Sequence, residues 1–115
     1  MTHPSKVKGN DFEREVVNFA KESGLNAKRA YASNGESLGH GPEVDLTIEA
    51  ERLQAKRRKA LASYLMIPED CDAVVFRQDR GTPLVLISLS DYLDFVAYKK
   101  EAKENRIGGT VTPYG

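Results

Sequence analysis

The stretch at 43–59, EVDLTIEAERLQAKRRK, constrains the fold more than any other part of the chain. Val44, Leu46 and Ile48 alternate with Glu43, Asp45, Thr47 and Glu49, the period-2 pattern of a strand with one apolar face. After a turn at 49–51 the alternation resumes. Gln54 and Lys56 then share one face, and Leu53 and Ala55 take the other. Two such runs joined by so short a turn predict an antiparallel hairpin. A two-residue loop at Glu49-Ala50 sets Asp45 opposite Gln54 and Glu43 opposite Lys56. A loop at Ala50-Glu51 shifts the register and sets Asp45 opposite Lys56. Either loop brings Asp45, Gln54 and Lys56 to one face, because opposed residues share a face. An odd loop would need a bulge to do so.

The rest of the chain supplies elements to pack on this hairpin. A helix is expected over 11–23, with Asn10 as its N-cap and Gly24 as its stop. Phe12, Val16, Val17, Phe19 and Ala20 form its apolar arc, and Glu13 falls inside that arc. A carboxylate there is costly unless it snorkels to water or something holds it. A short strand follows at 28–31, then a Gly-, Ser- and Asn-rich loop at 33–42. Residues 58–66 read as a second helix with Leu61 and Leu65 inward. Strands at 73–77 and 84–88 flank a turn at 78–83. Ser90 is expected to cap a last helix that presents Tyr92, Leu93, Phe95 and Val96 and fades near Asn105. The order is α-β-β-β-α-β-β-α. Residues 1–104 are read as a single domain and 105–115 as a flexible tail, or an arm that docks on a partner.

Composition narrows the chemistry. No apolar run approaches the roughly 18 residues of a membrane span. The polar N-terminus lacks the apolar stretch of a signal peptide, so a cytoplasmic protein without a membrane partner is expected. The single cysteine, Cys71, permits no intrachain disulfide and is read as a packing residue at a loop edge. With only two histidines beside it, a zinc cluster of the usual spacing is excluded. His40, in the Gly-rich loop, is read as exposed or as a phosphate contact. Seventeen basic residues balance seventeen acidic ones, which argues against a nucleic-acid partner until their distribution is considered. Five of the eight residues at 52–59 are basic, and acids gather at 69–72. A basic face is compatible with zero net charge.

An acid, an amide oxygen and an ammonium on one sheet face suit metal-dependent phosphodiester hydrolysis. A carboxylate and an amide carbonyl are the hard oxygen ligands Mg²⁺ prefers. A bound cation would activate water and shield phosphate charge, and a lysine would orient the water and stabilise the charged transition state. Glu13 is the buried-face acid available to complete the set. By itself, Asp-x₈-Gln-x-Lys is a weak pattern that equally describes a solvated hairpin.

These residues resemble the PD-(D/E)XK nuclease superfamily, and within it the archaeal-type Holliday-junction resolvases, a group with phage members. Lys8-Gly9-Asn10-Asp11-Phe12-Glu13-Arg14-Glu15 is similar to the family's Lys-Gly-x-x-x-Glu-Arg-Glu opening, whose first Glu is the helix-borne catalytic acid. That acid maps onto Glu13. Arg29-Ala30-Tyr31-Ala32-Ser33 resembles the Arg-x-x-x-Ser segment, whose Arg and Ser serve DNA binding and catalysis. Asp45 stands at the metal-binding Asp, and Gln54-Ala55-Lys56 stands where the family has Glu-x-Lys. By motif the likeness covers about residues 6 to 60. Two features depart from the pattern: Gln54 replaces Glu, as in the Mrr-type branch, and the loop at 34–42 looks longer. The lost charge should weaken metal binding unless Glu43 compensates.

The resemblance implies an α/β restriction-endonuclease-like fold, with a central mixed β-sheet flanked by helices. It implies an Mg²⁺-dependent endonuclease, with Mn²⁺ able to substitute and no small-molecule cofactor, that resolves four-way DNA junctions by paired symmetric nicks. Glu13, Asp45, Gln54, Lys56 and Ser33 would be catalytic, the first three also holding metal. Lys8, Arg29, Ser33, Arg57, Arg58 and Lys59 would bind DNA through its backbone and shape. Two symmetric cuts call for a C2 homodimer, using the last helix around Tyr92, Phe95 and Tyr98, or the tail. A phage-encoded member would work in its host's cytoplasm. The alternatives are a less structure-selective endonuclease of Mrr or repair type, and a non-catalytic DNA-binding relative that lost its carboxylate at position 54.

Overall fold

A computed structural model describes residues 4–30 and 35–108, with side chains described at 10–30 and 36–105. The first helix, α1 (Pro4–Glu22), starts well before Asn10, which lies inside it and is not its cap. Proline is tolerated in a first helical turn, where its missing N–H costs no hydrogen bond. At the other end Gly24 stops the helix as expected, with φ at 82°. The Gly24 N–H donates to Lys21 and the Leu25 N–H to Ala20, the paired bonds of a Schellman cap. Leu25 is buried beside that cap. Val16, Val17 and Ala20 of the expected arc are buried, but Phe19 is 41% exposed and lies outside the core.

Strands β1 (Ala27–Arg29), β2 (Leu46–Ile48) and β3 (Glu51–Leu53) form an antiparallel sheet in that order. Leu46 pairs with Leu53 and Ile48 with Glu51, so the hairpin loop is Glu49-Ala50. Glu49 takes φ 53°, at the loop position where primed hairpin turns need positive φ. Ala27, Arg29, Leu46, Ile48, Glu51 and Leu53 share one face by register. Helix α1 packs on β1 and β2. Leu46 and Ile48 are fully buried, each burial contributing about 2 kcal/mol.

Strands β4 (Ala73–Phe76) and β5 (Leu84–Ile87) form a separate antiparallel pair, and α2 (Leu89–Gly108) closes the described chain. Ser88, not Ser90, caps α2. Its Oγ accepts the Asp91 N–H at 3.2 Å, and its carbonyl accepts the Tyr92 N–H. Asp91 also places a negative charge in the first turn, where the helix dipole favours it. The helix runs to Gly108, three residues past its expected fading point, and residues 109–115 of the expected tail lie outside the described residues.

The chain is therefore mixed α/β, with two helices and small antiparallel sheets, compatible with a nuclease-like fold. Three further expectations are corrected. Residues 58–66 form no α-helix, only a 3-10 turn at Ser63–Leu65, and Leu61 is 54% exposed. The segment is short, its first turn is Arg58-Lys59 where the dipole disfavours cations, and Pro68 follows at once. The expected mixed sheet is also absent among the described residues. Parallel pairing needs a crossover of a dozen or more residues, usually helical, and without the middle helix only local antiparallel pairs close. Cys71 is exposed and not a packing residue.

Two compact units make up the described chain. One takes in the residues up to Arg57 and those from Val96 onward, and the other is Arg58–Phe95. In the first, α2 is fastened to the β2–β3 hairpin by Lys99 on Glu51 and by Lys100 on Glu49 at 3.3 Å. In the second, the rings of Tyr64 and Phe76 lie 6.5 Å apart.

Candidate active site

Asp45 sits just outside the β2–β3 ladder and is fastened on both sides of Gln54. Its N–H donates to the Leu53 carbonyl at 2.9 Å, and its Oδ2 accepts the Ala55 N–H at 2.7 Å. Leu46 also partners Leu53, so two residues of one strand meet one of the other, as at a β-bulge. Bulges re-aim side chains at sheet ends. On the other flank the Asp45 carbonyl accepts the Ala30 N–H at 2.8 Å, tying the aspartate to the end of β1. With its backbone and one carboxylate oxygen engaged, Asp45 has little freedom to rotate.

Gln54 is exposed, and its Nε2 donates to the Glu43 carbonyl at 3.3 Å. That bond leaves the amide Oε1 as the end available to a cation. Glu43 thus meets Gln54 through its backbone, while its own carboxylate lies against Gly41, where a Cβ would stand 2.6 Å from Oε1. Past the end of β3, Ala55 is half-buried and Lys56 exposed. Arg57, Arg58 and Lys59 follow, all exposed.

Glu13 is buried, at 4% exposure, and does not snorkel to water. The Arg29 Nε, reaching from β1, donates to its Oε2 at 3.1 Å. This pairing offsets the cost of an acid on the core face of α1. Arg29 pairs with Leu46, and the next residue, Ala30, bonds the Asp45 carbonyl, so the strand that holds Glu13 in place also borders Asp45 through its backbone.

Lys8 lies in α1 with its side chain outside the described set, and Ser33 lies outside the described residues altogether. The chain around Asp45 and Gln54 offers oxygen donors, a carboxylate and an amide, which fit a hard divalent cation. Among the described residues no three of His, Cys, Asp and Glu are grouped to hold a metal.

Sequence reasoning missed Glu49. Its Oε2 accepts the Asn26 N–H at 2.6 Å and the Lys100 ammonium, and its own N–H donates to the Asn26 carbonyl. The Asn26 N–H first, and Lys100 after it, hold its carboxyl below the usual carboxylate range, against some desolvation. No local signal points to it, since both partners are distant in the chain.

Residues 4–106 match the sequence profile of a known family, described as archaeal Holliday junction resolvase (Hjc). The chain belongs to the archaeal Holliday junction resolvase family. Family membership makes it a relative of PD-(D/E)XK nucleases, which generally use divalent metal ions. It implies resolvase-type nuclease activity on branched DNA. The match extends about 46 residues beyond the quoted motifs, from 60 to 106, across β4, β5 and most of α2. Comparisons with curated proteins and with solved structures found no match. Among the described residues no helix is long and apolar enough to cross a membrane.

Proposed function

We propose that the protein is a homodimeric, Mg²⁺-dependent endonuclease that resolves four-way DNA junctions by paired symmetric nicks. The observation that carries this reading is the fastening of Asp45 around Gln54, with Lys56 two residues on, inside a chain of the resolvase family. Asp45, Glu13 and the Gln54 amide oxygen would hold the cation, and Mn²⁺ would substitute for Mg²⁺. When bound, the cation would activate water and neutralise phosphate charge.

The chain's own residues do the rest. The Ala55 N–H fixes the Asp45 carboxylate in one orientation, and the Glu43 carbonyl fixes the Gln54 amide. Lys56, exposed two residues past Gln54, would orient the attacking water and stabilise the extra negative charge that develops on the phosphate. Arg29 both compensates Glu13 and, with Lys8 and Ser33, meets the DNA backbone. Arg57, Arg58 and Lys59 contact phosphates beside the site. The dimer surface uses α2, where Phe95 and Tyr98 are exposed, or the tail.

A labelled four-way junction and a linear duplex of matching sequence, with Mg²⁺ or EDTA, test this beside Asp45→Ala. The expected outcome is paired nicks in the junction alone, lost with EDTA and in the variant. Cleavage of both substrates would point instead to a general endonuclease of Mrr or repair type. Tight junction binding with no cleavage in Mg²⁺ or Mn²⁺ would mean that Gln54 had ended catalysis, leaving a DNA-binding relative.

A further inference from the structure

Lys28, Thr47 and Arg52 stand directly opposite one another across β1, β2 and β3. Their row lies on the face turned away from Leu46 and Ile48. Lys28 and Arg52 are exposed and Thr47 half-buried. Cations on an open sheet face are ordinarily just solvated, and three features set these apart. Opposite charges commonly face each other across strands, yet here a hydroxyl separates two cations. Among the described residues neither cation forms an ion pair, although the chain has as many acids as bases. Glu49 and Glu51, the acids of the hairpin beside Thr47 and Arg52, are already bonded by Lys100 and Lys99. The face is therefore left positive.

Its position gives the charge a use. Gln54 follows Arg52 by two residues, just past the end of β3, so the row begins about 7 Å from it. Beyond β1, Lys28 also lines a groove with Arg14, Asn18, Lys21 and Arg29. We propose that Lys28, Thr47 and Arg52 form a second phosphate-binding row. It holds DNA backbone next to the phosphate at Gln54, and the groove along β1 continues the track. This rests on the nuclease reading for the place of the cut, though not for the binding of phosphate. An ammonium, a guanidinium and a hydroxyl donor suit phosphate oxygens, and nothing in the row is set to read bases.

The test measures junction binding by the full chain in EDTA, as a function of salt from about 50 to 200 mM. Lys28→Ala and Arg52→Ala should each lower the slope of log K against log salt by about 1. Lys103→Ala, on α2 and outside the row, should leave it unchanged. Circular dichroism melts should match wild type, since both row cations are exposed. Unchanged slopes in the two row variants would overturn the proposal, whatever the nuclease assay shows. Reduced slopes without junction cleavage by wild type would uphold the row while sinking the resolvase reading. Absence of DNA binding by wild type at low salt would sink both.

Discussion

Gln54 is the residue on which the proposed chemistry turns. Its amide is anchored by Nε2 on the Glu43 carbonyl, which leaves the oxygen for the proposed cation, but an amide brings no charge. A neutral ligand binds a divalent cation less tightly than a carboxylate at the same place. Gln54→Glu should therefore lower the Mg²⁺ concentration needed for half-maximal cleavage, by about tenfold if the added charge contributes about 1.4 kcal/mol. Titrating Mg²⁺ in both proteins checks this, and an unchanged or higher requirement would remove Gln54 from the metal site. Glu13 presents the opposite situation, a full charge at 4% exposure. Separating such a pair typically costs about 3 kcal/mol or more, so Arg29 has a structural share that any DNA-binding assay of its variants must separate out.

At the scale of elements, the β2–β3 hairpin is held from its loop. Glu49 tolerates φ 53° because its carboxylate is drawn to the Asn26 N–H and to Lys100. A carboxyl whose pKa is depressed on folding stabilises the fold at pH above its unfolded value. That contribution is lost as pH falls through the depressed folded value. Urea unfolding midpoints should thus decline on acidification below the ordinary carboxylate value of 4.5. Glu49→Gln should remove part of that decline while keeping an oxygen for the Asn26 N–H. An identical acid profile in the variant would show that other carboxylates set it. Helix caps carry a similar lesson. Ser88-x-x-Asp91 is a readable capping pattern, and it competes with Ser90 only until the Ser88 Oγ is seen on the Asp91 N–H.

For the whole molecule, zero net charge conceals an uneven distribution: a basic sheet face, a basic run at 57–59, and acids on the hairpin loop bound by α2. Paired cuts require two copies, and an isologous interface meets each substitution twice. Tyr98 is 70% exposed on α2. Sedimentation should give the mass of two chains, and Tyr98→Glu should shift it toward one and convert paired nicks into single ones. A wild-type monomer that still cuts in pairs would refute the homodimer, and a dimer unmoved by the variant would place its surface elsewhere, as at the tail.

Local sequence determined the elements whose cause is local. Alternation at 43–56 marked the hairpin, the arc of Val16, Val17 and Ala20 marked the buried face of α1, and Gly24 marked its end. The angular position of Glu13 and the motifs around Asp45 and Gln54 marked the candidate site and the family. Only the tertiary structure decided what depends on partners far apart in the chain. It chose the Glu49-Ala50 loop over its neighbour, because Glu49 there reaches Asn26 and Lys100. It left 58–66 without an α-helix, because a short basic segment with Leu61 exposed gains too little from burial to repay helix nucleation. It also set Lys28, Thr47 and Arg52 in one row, since strand register joins residues that no sequence spacing relates.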